Sequence, residues 1–398
     1  MKKVRTIEGV MRLRFEEIYG LFQEKEITTV EASQMLGISV RTFLRKRDRQ
    51  EEEGFDGRYD RRLGMVSSKK ALDNEIEEVS RWYRERYRGF SVKHFHEYAQ
   101  REHDLRYGYT WTKKVLEETG LVKKSKRGGD HRLRRERRPM AGMMIHQDGS
   151  THAWIPALGY NVDLIVTLDD ATSEITSAFF TEQEGTYSSL RGILETIEKY
   201  GIFCSFYTDR GSHYWYTPVA GGKVDKDRLT EVGRALKQLG ISHIAAYSPQ
   251  ARGRSERMFG TLQARLPKEL MLNGVKTMAE ANAYLQDIYL PRHNKQFAVE
   301  PQDKRPAWVK WIGPDLKEIL CIQTERTVHN DNTVSYEGLH LQIPADDMRH
   351  HYVKALVQVR RYLDGSLGIF YGPRNLGFYT QKGELVSYDI TCEKIQAK

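Results

Sequence analysis

The sequence predicts a multidomain protein, with helical modules at the N-terminus, a layered α/β core in the middle and a small β-barrel at the C-terminus. Three observations predict it. Apolar residues recur at helical spacing amid dense charge through residues 12–122. From residue 140, apolar strand-like runs alternate with helical patterns. After residue 319, short β-branched runs are separated by turn dipeptides. At 398 residues the chain is too long for one ordinary domain. With 39% hydrophobic and 29% charged residues, it is globular rather than disordered.

In the first segment, Leu13, Ile18, Leu21 and Phe22 fall near helical spacing. In residues 27–47, Thr29 is placed to cap a short helix carrying Val30, Ala32, Met35 and Leu36. Gly37 breaks that helix, Ile38 packs the turn, and Ser39 caps a second helix through Phe43 and Leu44. Short helix, glycine turn and basic second helix make a helix-turn-helix pattern, which assigns residues 1–50 to a DNA-binding domain. Its DNA contacts would be Arg41, Thr42, Arg45, Lys46 and Arg47. An ordinary helical hairpin with solvated charges has the same pattern.

Residues 51–62 read as a linker of mixed charge, and residues 65–122 as a second helical domain. Within it, 71–87 forms a helix, and Thr110 is placed to cap another that carries Trp111, Val115 and Leu116. This is either a second helix-turn-helix, with Lys113 and Lys114 toward DNA, or a plain bundle. Residues 121–138 hold nine Lys or Arg against Asp130 and Glu136. A solvated tail would look like this. Between a DNA reader and a catalytic core, a basic linker (123–139) instead suits DNA tracking, with Lys123, Lys124, Arg127, Arg132, Arg134 and Arg135 releasing counterions. Such a segment is expected to lack order without nucleic acid.

The core reads as a strand ending at Gly149, an apolar strand over 162–168, a turn at Asp169–Thr172 and a second strand over 175–181. Thr186 caps a helix with Leu190, Ile193, Leu194 and Ile197 on one face, and Gly201 stops it. FCSFYTDRGS forms a fourth strand running into a glycine loop. A helix from about Lys226 to Leu239 and the strand ISHIAAY follow. Glu256 then begins a long helix with an expected break near Pro267 and Asn273-Gly274. Beyond it, strands are expected over 319–328, 333–343, 353–363 and 367–371, with tight turns at Asp331-Asn332 and Asp364-Gly365.

Asp148 and Asp209 thus take equivalent places after two strands, where a rigid sheet aims side chains into a crevice. Glu256 is the third acid. Oxygen-only ligands from separate elements suit Mg²⁺, or Mn²⁺. Three converging carboxylates repel unless cations intervene, and two divalent ions remove that conflict while serving in-line phosphoryl displacement.

HQDGSTHAWIP, VTLDDATSEI, FYTDRGSHYW, YSPQARGRSERMFGTLQ and YLPRHNKQFAVEP together resemble the DDE transposases and integrases with a retroviral-integrase-type, RNase H-like core. The likeness is greatest to insertion-sequence transposases of the ISNCY type and covers residues 140–300, with the C-terminal barrel at 315–398 fitting the same architecture. It implies that Asp148, Asp209 and Glu256 are the catalytic and metal-binding triad, holding two Mg²⁺ or Mn²⁺ ions with Asp148 as the bridge. It also implies a homodimer or higher oligomer on paired element ends. Water would free 3′-hydroxyls at double-stranded terminal inverted repeats, and these would then attack target DNA. A nuclease without strand transfer, or a DNA-binding regulator with an inactive core, remains the alternative. Two departures stand out. Asp209 precedes Glu256 by 47 positions, which predicts an insertion over 213–227, and Arg210 stands where many relatives carry Asn.

Arg252, Arg254 and Arg257 flank Glu256 and match phosphate geometry, although loop charges are commonly just solvated. Tyr214, Trp215 and Tyr216 suit either stacking on an unpaired base or anchoring the loop. His146 shares the strand face of Asp148 and reads first as a packed core residue. The Asp169–Asp170 pair reads as turn structure. No apolar run approaches the ~18–20 residues that span a bilayer, and Cys204, Cys321 and Cys392 are too few and scattered for a disulfide framework or zinc site. A cytoplasmic, nucleoid-associated protein without a membrane partner is expected.

Overall fold

The computed structural model describes residues 2–54, 71–124, 136–219, 222–247, 253–345 and 348–387. The chain divides into two compact units, Met1–Glu78 and Val79–Lys398.

The first unit contains α1 (Lys2–Gln23), α2 (Thr29–Leu36) and α3 (Val40–Glu53). Phe15, Ile18, Tyr19, Ala32 and Phe43 close its core. The cap of α2 is Thr28, not Thr29: its hydroxyl accepts from the Glu31 amide while the Glu31 carboxylate accepts from the Thr28 amide. Two adjacent threonines both suit the role, but only Thr28 has a glutamate three residues on. Gly37 ends α2 at φ 64°, and Ser39 caps α3 as expected. Residues 51–53, expected in a linker, continue α3. The rest of that stretch beyond Gly54 lies outside the described residues.

α4 (Asp73–Glu85) crosses the division, and α5 (Val92–Glu102) and α6 (Tyr109–Glu118) follow it. Gly108, rather than Thr110, is the N-cap of α6. Tyr83, Tyr87, Phe90, Phe95 and Leu116 are buried among these helices.

The central sheet is built from β1 (Ile145–His152), β2 (Val162–Asp169), β3 (Ile175–Thr181), β4 (Ser205–Thr208) and β5 (Ser242–Ala245). Its order is β3-β2-β1-β4-β5. The first three strands run antiparallel, and β4 and β5 add parallel to β1. All eight residues of β2 are buried, which explains why its apolar residues do not simply alternate with exposed polar ones. α7 (Thr186–Tyr200) and α8 (Glu231–Gln238) cover one face through Leu190, Ile193, Val232 and Leu236. Thr230 caps α8, so that helix starts later than expected.

The other face packs against α9 (Gly253–Leu272) and α10 (Met278–Tyr284). There Leu164, Val166 and Leu168 share one core with Met258, Phe259, Leu262 and Leu266. Pro267, expected to break this helix, lies inside α9, where burial of Leu266 and Leu270 offsets the hydrogen bond that proline cannot make. A π-helical turn over Leu285–Tyr289 joins α10 to α11 (Leu290–Phe297), and α12 (Leu316–Ile319) leads out of the core.

The C-terminal strands are β6 (Ile322–Thr327), β7 (Thr333–Tyr336), β8 (Leu339–Gln342), β9 (Leu356–Arg361), β10 (Leu367–Tyr371), β11 (Arg374–Tyr379) and β12 (Leu385–Ser387). They form a five-stranded sheet, β12-β11-β10-β9-β6, and a β7-β8 hairpin. Val334, Leu341, Val359, Ile369 and Leu376 belong to one core shared by both. The run 333–343 is two strands rather than one, turning at Glu337 and Gly338 with φ of 49° and 81°. β11 and β12 go beyond the expected strands, because Asn375 and Gly377 dilute the apolar alternation of β11.

Candidate active site

Asp148 lies within β1 rather than at its end, because Ser150, Thr151 and His152 go on pairing with Leu164, Asp163 and Val162 of β2. What ends near Asp148 is the parallel partner. β1 and β4 pair Ile145 with Phe206 and His146 with Tyr207, and β4 stops at Thr208. Two residues further along each strand stand Asp148 and Asp209. Period-two alternation puts them on the same face as His146 and Tyr207, whose rings are 4.9 Å apart. Neighbouring strands are about 4.8 Å apart, so the two aspartates sit side by side. The Gly211 amide donates to Asp209 Oδ1 over 2.9 Å, which fixes that carboxylate as the chain leaves the strand.

Glu256 is exposed in the first turn of α9, on the same side of the sheet. Two contacts locate it along β1. Arg254 pairs with buried Asp170, whose Oδ1 also lies 2.7 Å from His146 Nε2. Further along α9, Gln263 Nε2 donates to Ser150 Oγ at 3.2 Å. Residues 256 and 263, seven apart, share a helix face. Glu256 therefore falls between the levels of His146 and Ser150, the stretch of β1 that holds Asp148. Among the described residues, no group of three or more His, Cys, Asp or Glu side chains is gathered closely enough to hold a metal ion. The aspartate pair is set by the sheet, whereas Glu256 follows residues 248–252, which lie outside the described residues.

The back of the sheet anchors the loop after Asp209. Tyr214 is 1% exposed and its hydroxyl donates to Gln147 Oε1 at 2.9 Å. Burial first, and then the charges of Glu184, Asp148 and Asp209, push its phenol well above the usual range. Trp215 stacks on His243 at 3.8 Å and donates to Thr208 Oγ1. These two aromatics anchor the loop, and Tyr216 lies against Arg228.

Asp169 and Asp170 are structural, as read from the sequence, yet buried at 1% and 0% exposure rather than solvated. Asp169 accepts from the Gly142 amide and from Thr172. Burial alone would raise the Asp170 carboxyl; the His146 hydrogen bond, the Arg138 amide and the charges of His146 and Arg254 more than reverse this and hold it well below the carboxylate range. The sequence missed Gln147 and Glu184. Gln147 stands beside Asp148 on the alternate face, a hint the strand period offers.

Of the residues expected at DNA, Arg41, Arg45 and Lys46 are exposed on α3, while Thr42 and Arg47 are half-buried. Arg47 pairs with Asp48. Lys113 and Lys114 pair with Glu117 and Glu118 along α6. Lys123, Lys124 and Arg257 are exposed. Arg127, Arg132, Arg134, Arg135 and Arg252 lie outside the described residues.

A putative transposase of Sinorhizobium fredii, y4bF, is 29% identical over 360 residues, covering 89% of this chain and 77% of that protein. The transposase for insertion sequence IS1202 of Streptococcus pneumoniae is 33% identical over 239 residues, 58% of this chain and 50% of that protein. The chain is thus similar to transposases, to the first of them over most of its length. No protein-family model matches it. Among solved structures, a chain of the simian T-cell lymphotropic virus intasome has a TM-score of 0.33 at 16% identity, covering 66% of this chain and 85% of that one. The HTLV-2 integrase catalytic core domain in complex with magnesium has a TM-score of 0.28 at 16% identity, covering 37% and 89%. At that distance the two integrase structures add nothing to what this chain's own sheet order shows. No helix among its described residues is long and apolar enough to cross a membrane.

Proposed function

We propose that the chain is a DNA transposase that cuts element ends to free 3′-hydroxyl groups and joins them to target DNA at one centre formed by Asp148, Asp209 and Glu256. The observation that carries this reading is that β1 and β4 are parallel neighbours, with Asp148 two residues beyond their last pair on β1 and Asp209 two residues beyond it just past the end of β4, and the first turn of α9 on the same side. Three oxygen-donor side chains and no cysteine or histidine ligand suit Mg²⁺ or Mn²⁺. Asp148 and Asp209 would hold two ions, Asp148 bridging, and Glu256 would complete one site. Bound there, the ions would activate the attacking oxygen and stabilise the leaving one.

The rest falls to the chain's own residues. The Gly211 amide orients Asp209. The Asp170–Arg254 pair holds the start of α9, and so Glu256, against β1. Helices α2 and α3 would read terminal inverted repeats as a helix-turn-helix, with Arg41, Arg45 and Lys46 toward DNA. Residues 65–122, the basic stretch 123–139 and Arg257 would add phosphate contacts. The C-terminal sheets would close as a small barrel, and two or more copies would assemble on paired ends.

The test incubates the full chain with Mg²⁺ or Mn²⁺, a labelled element end and target DNA. Cleavage with joining is expected, and Asp148→Asn, Asp209→Asn and Glu256→Gln should each lower it at least about 100-fold, since even residues behind metal ligands cost 10–100-fold. Cleavage without joining would favour a nuclease, and binding alone a regulator. Undiminished cleavage by Asp148→Asn would overturn the assignment.

A further inference from the structure

On the back of β1, directly behind the aspartate pair, Gly149 has no side chain, and a Cβ there would overlap the carboxylate of Glu184. Glu184 arrives from the loop between β3 and α7. Its amide donates to Asp163 Oδ2 at 2.6 Å, and Asp163 also accepts from Thr151 Oγ1, so the loop is tied to β1 and β2 beside Gly149. Across from it, His213 Nε2 lies 3.4 Å from Glu184 Oε1. That nitrogen is buried and makes no hydrogen bond. An unmet buried polar atom is destabilising, so a small approach toward the carboxylate is favourable. His213 belongs to the same short loop as Asp209, and its ring sits beside Gly211, whose amide orients Asp209.

We propose that Glu184 is a positioning residue for the carboxylate centre: through His213 it holds the Asp209 loop against β1, in a space that only glycine at 149 leaves open. This rests on the metal-carboxylate reading given above. Glu184 and His213 stand on the Gln147 side of the sheet and the aspartates on the α9 side, so the clamp acts from behind without touching DNA. Losing it lets Asp209 drift from Asp148 and weakens the binding of divalent ions, as removal of supporting groups does elsewhere, by about 10–100-fold.

The experiment measures Mn²⁺ binding to the DNA-free full chain by electron paramagnetic resonance, together with the Mn²⁺ concentration for half-maximal end cleavage and the melting temperature. Glu184→Ala and Gly149→Ala should each weaken Mn²⁺ binding about tenfold or more, with cleavage recovering at high Mn²⁺. Glu184→Gln keeps an acceptor for His213 and should stay within about threefold of the unaltered chain. Unchanged Mn²⁺ binding in Glu184→Ala and Gly149→Ala, while Asp148→Asn loses it, overturns the clamp alone. Glu184→Gln as defective as Glu184→Ala overturns it too, because the charge and not the contact would then matter. If Asp148→Asn binds Mn²⁺ normally, the metal-carboxylate reading itself falls. Should Gly149→Ala unfold the chain, the comparison of Glu184→Ala with Glu184→Gln decides.

Discussion

Replacing Asp170 with alanine should be among the most damaging changes in the core, although the residue is no part of the chemistry. Asp170 is 0% exposed, accepts from the Arg138 amide at 2.8 Å and lies 2.7 Å from His146 Nε2. It also pairs with Arg254, itself only 13% exposed. Truncation takes the acceptor away from the largely covered Arg254 guanidinium and from the Arg138 amide. Breaking one side of such a pair costs about 3–5 kcal/mol. Because typical domains are stable by about 5–15 kcal/mol, that loss would move the urea midpoint substantially. A double-mutant cycle with Arg254→Ala isolates the pair, and a coupling of about 1–3 kcal/mol is expected for contacting residues. A loss under about 1 kcal/mol, or a coupling near zero, would refute the reasoning that Arg254 and Asp170 pin the start of α9.

Two further outcomes follow from the same packing. Trp154 is fully buried between β3 and α9, beside Phe180 and Phe259, and donates to the Ser150 carbonyl at 2.7 Å. Trp154→Ala should cost about 3–5 kcal/mol in chemical unfolding, and a cost below about 1 would mean that the face relaxes freely. Burial lowers His243 to about 3, and burial with the charge of Arg265 lowers His293 to about 4. Both stay neutral when folded and take up protons on unfolding, so their contribution is complete above about pH 6.5 and is lost as pH falls toward about 4. The slope is at most about 3 kcal/mol per pH unit for the two, less at the half-buried His243. Urea midpoints at about pH 7 and pH 5 read it directly, and equal midpoints would contradict it.

The core was legible because its signals agree. The mostly apolar strand β2, the strand at 175–181 and the helix stopped by Gly201 all appear where periodicity put them, although Gly185 rather than Thr186 is the N-cap of that helix. The two aspartates were legible as strand-associated acids. What the sequence could not carry was pairing: that β1 outruns β4 past Asp148 depends on which strands are neighbours. Glu184 escaped for the same reason, since its importance comes from Gly149 and His213, 35 and 29 positions away. Pro267 misled because local propensity breaks a helix that burial sustains.

α9 does two jobs at once. Its first turn carries Glu256, and its far half is gripped by the helical module: Arg265 pairs with Glu97 of α5 at 2.6 Å, and His94 of α5 lies 2.9 Å from Glu269. From Glu269 back to Glu256 is about 20 Å of continuous helix. Such a rod works as a lever, and a tilt of about 10° imposed at α5 would swing Glu256 by roughly 3 Å over that length. Load on the helical module would thus register at the third acid.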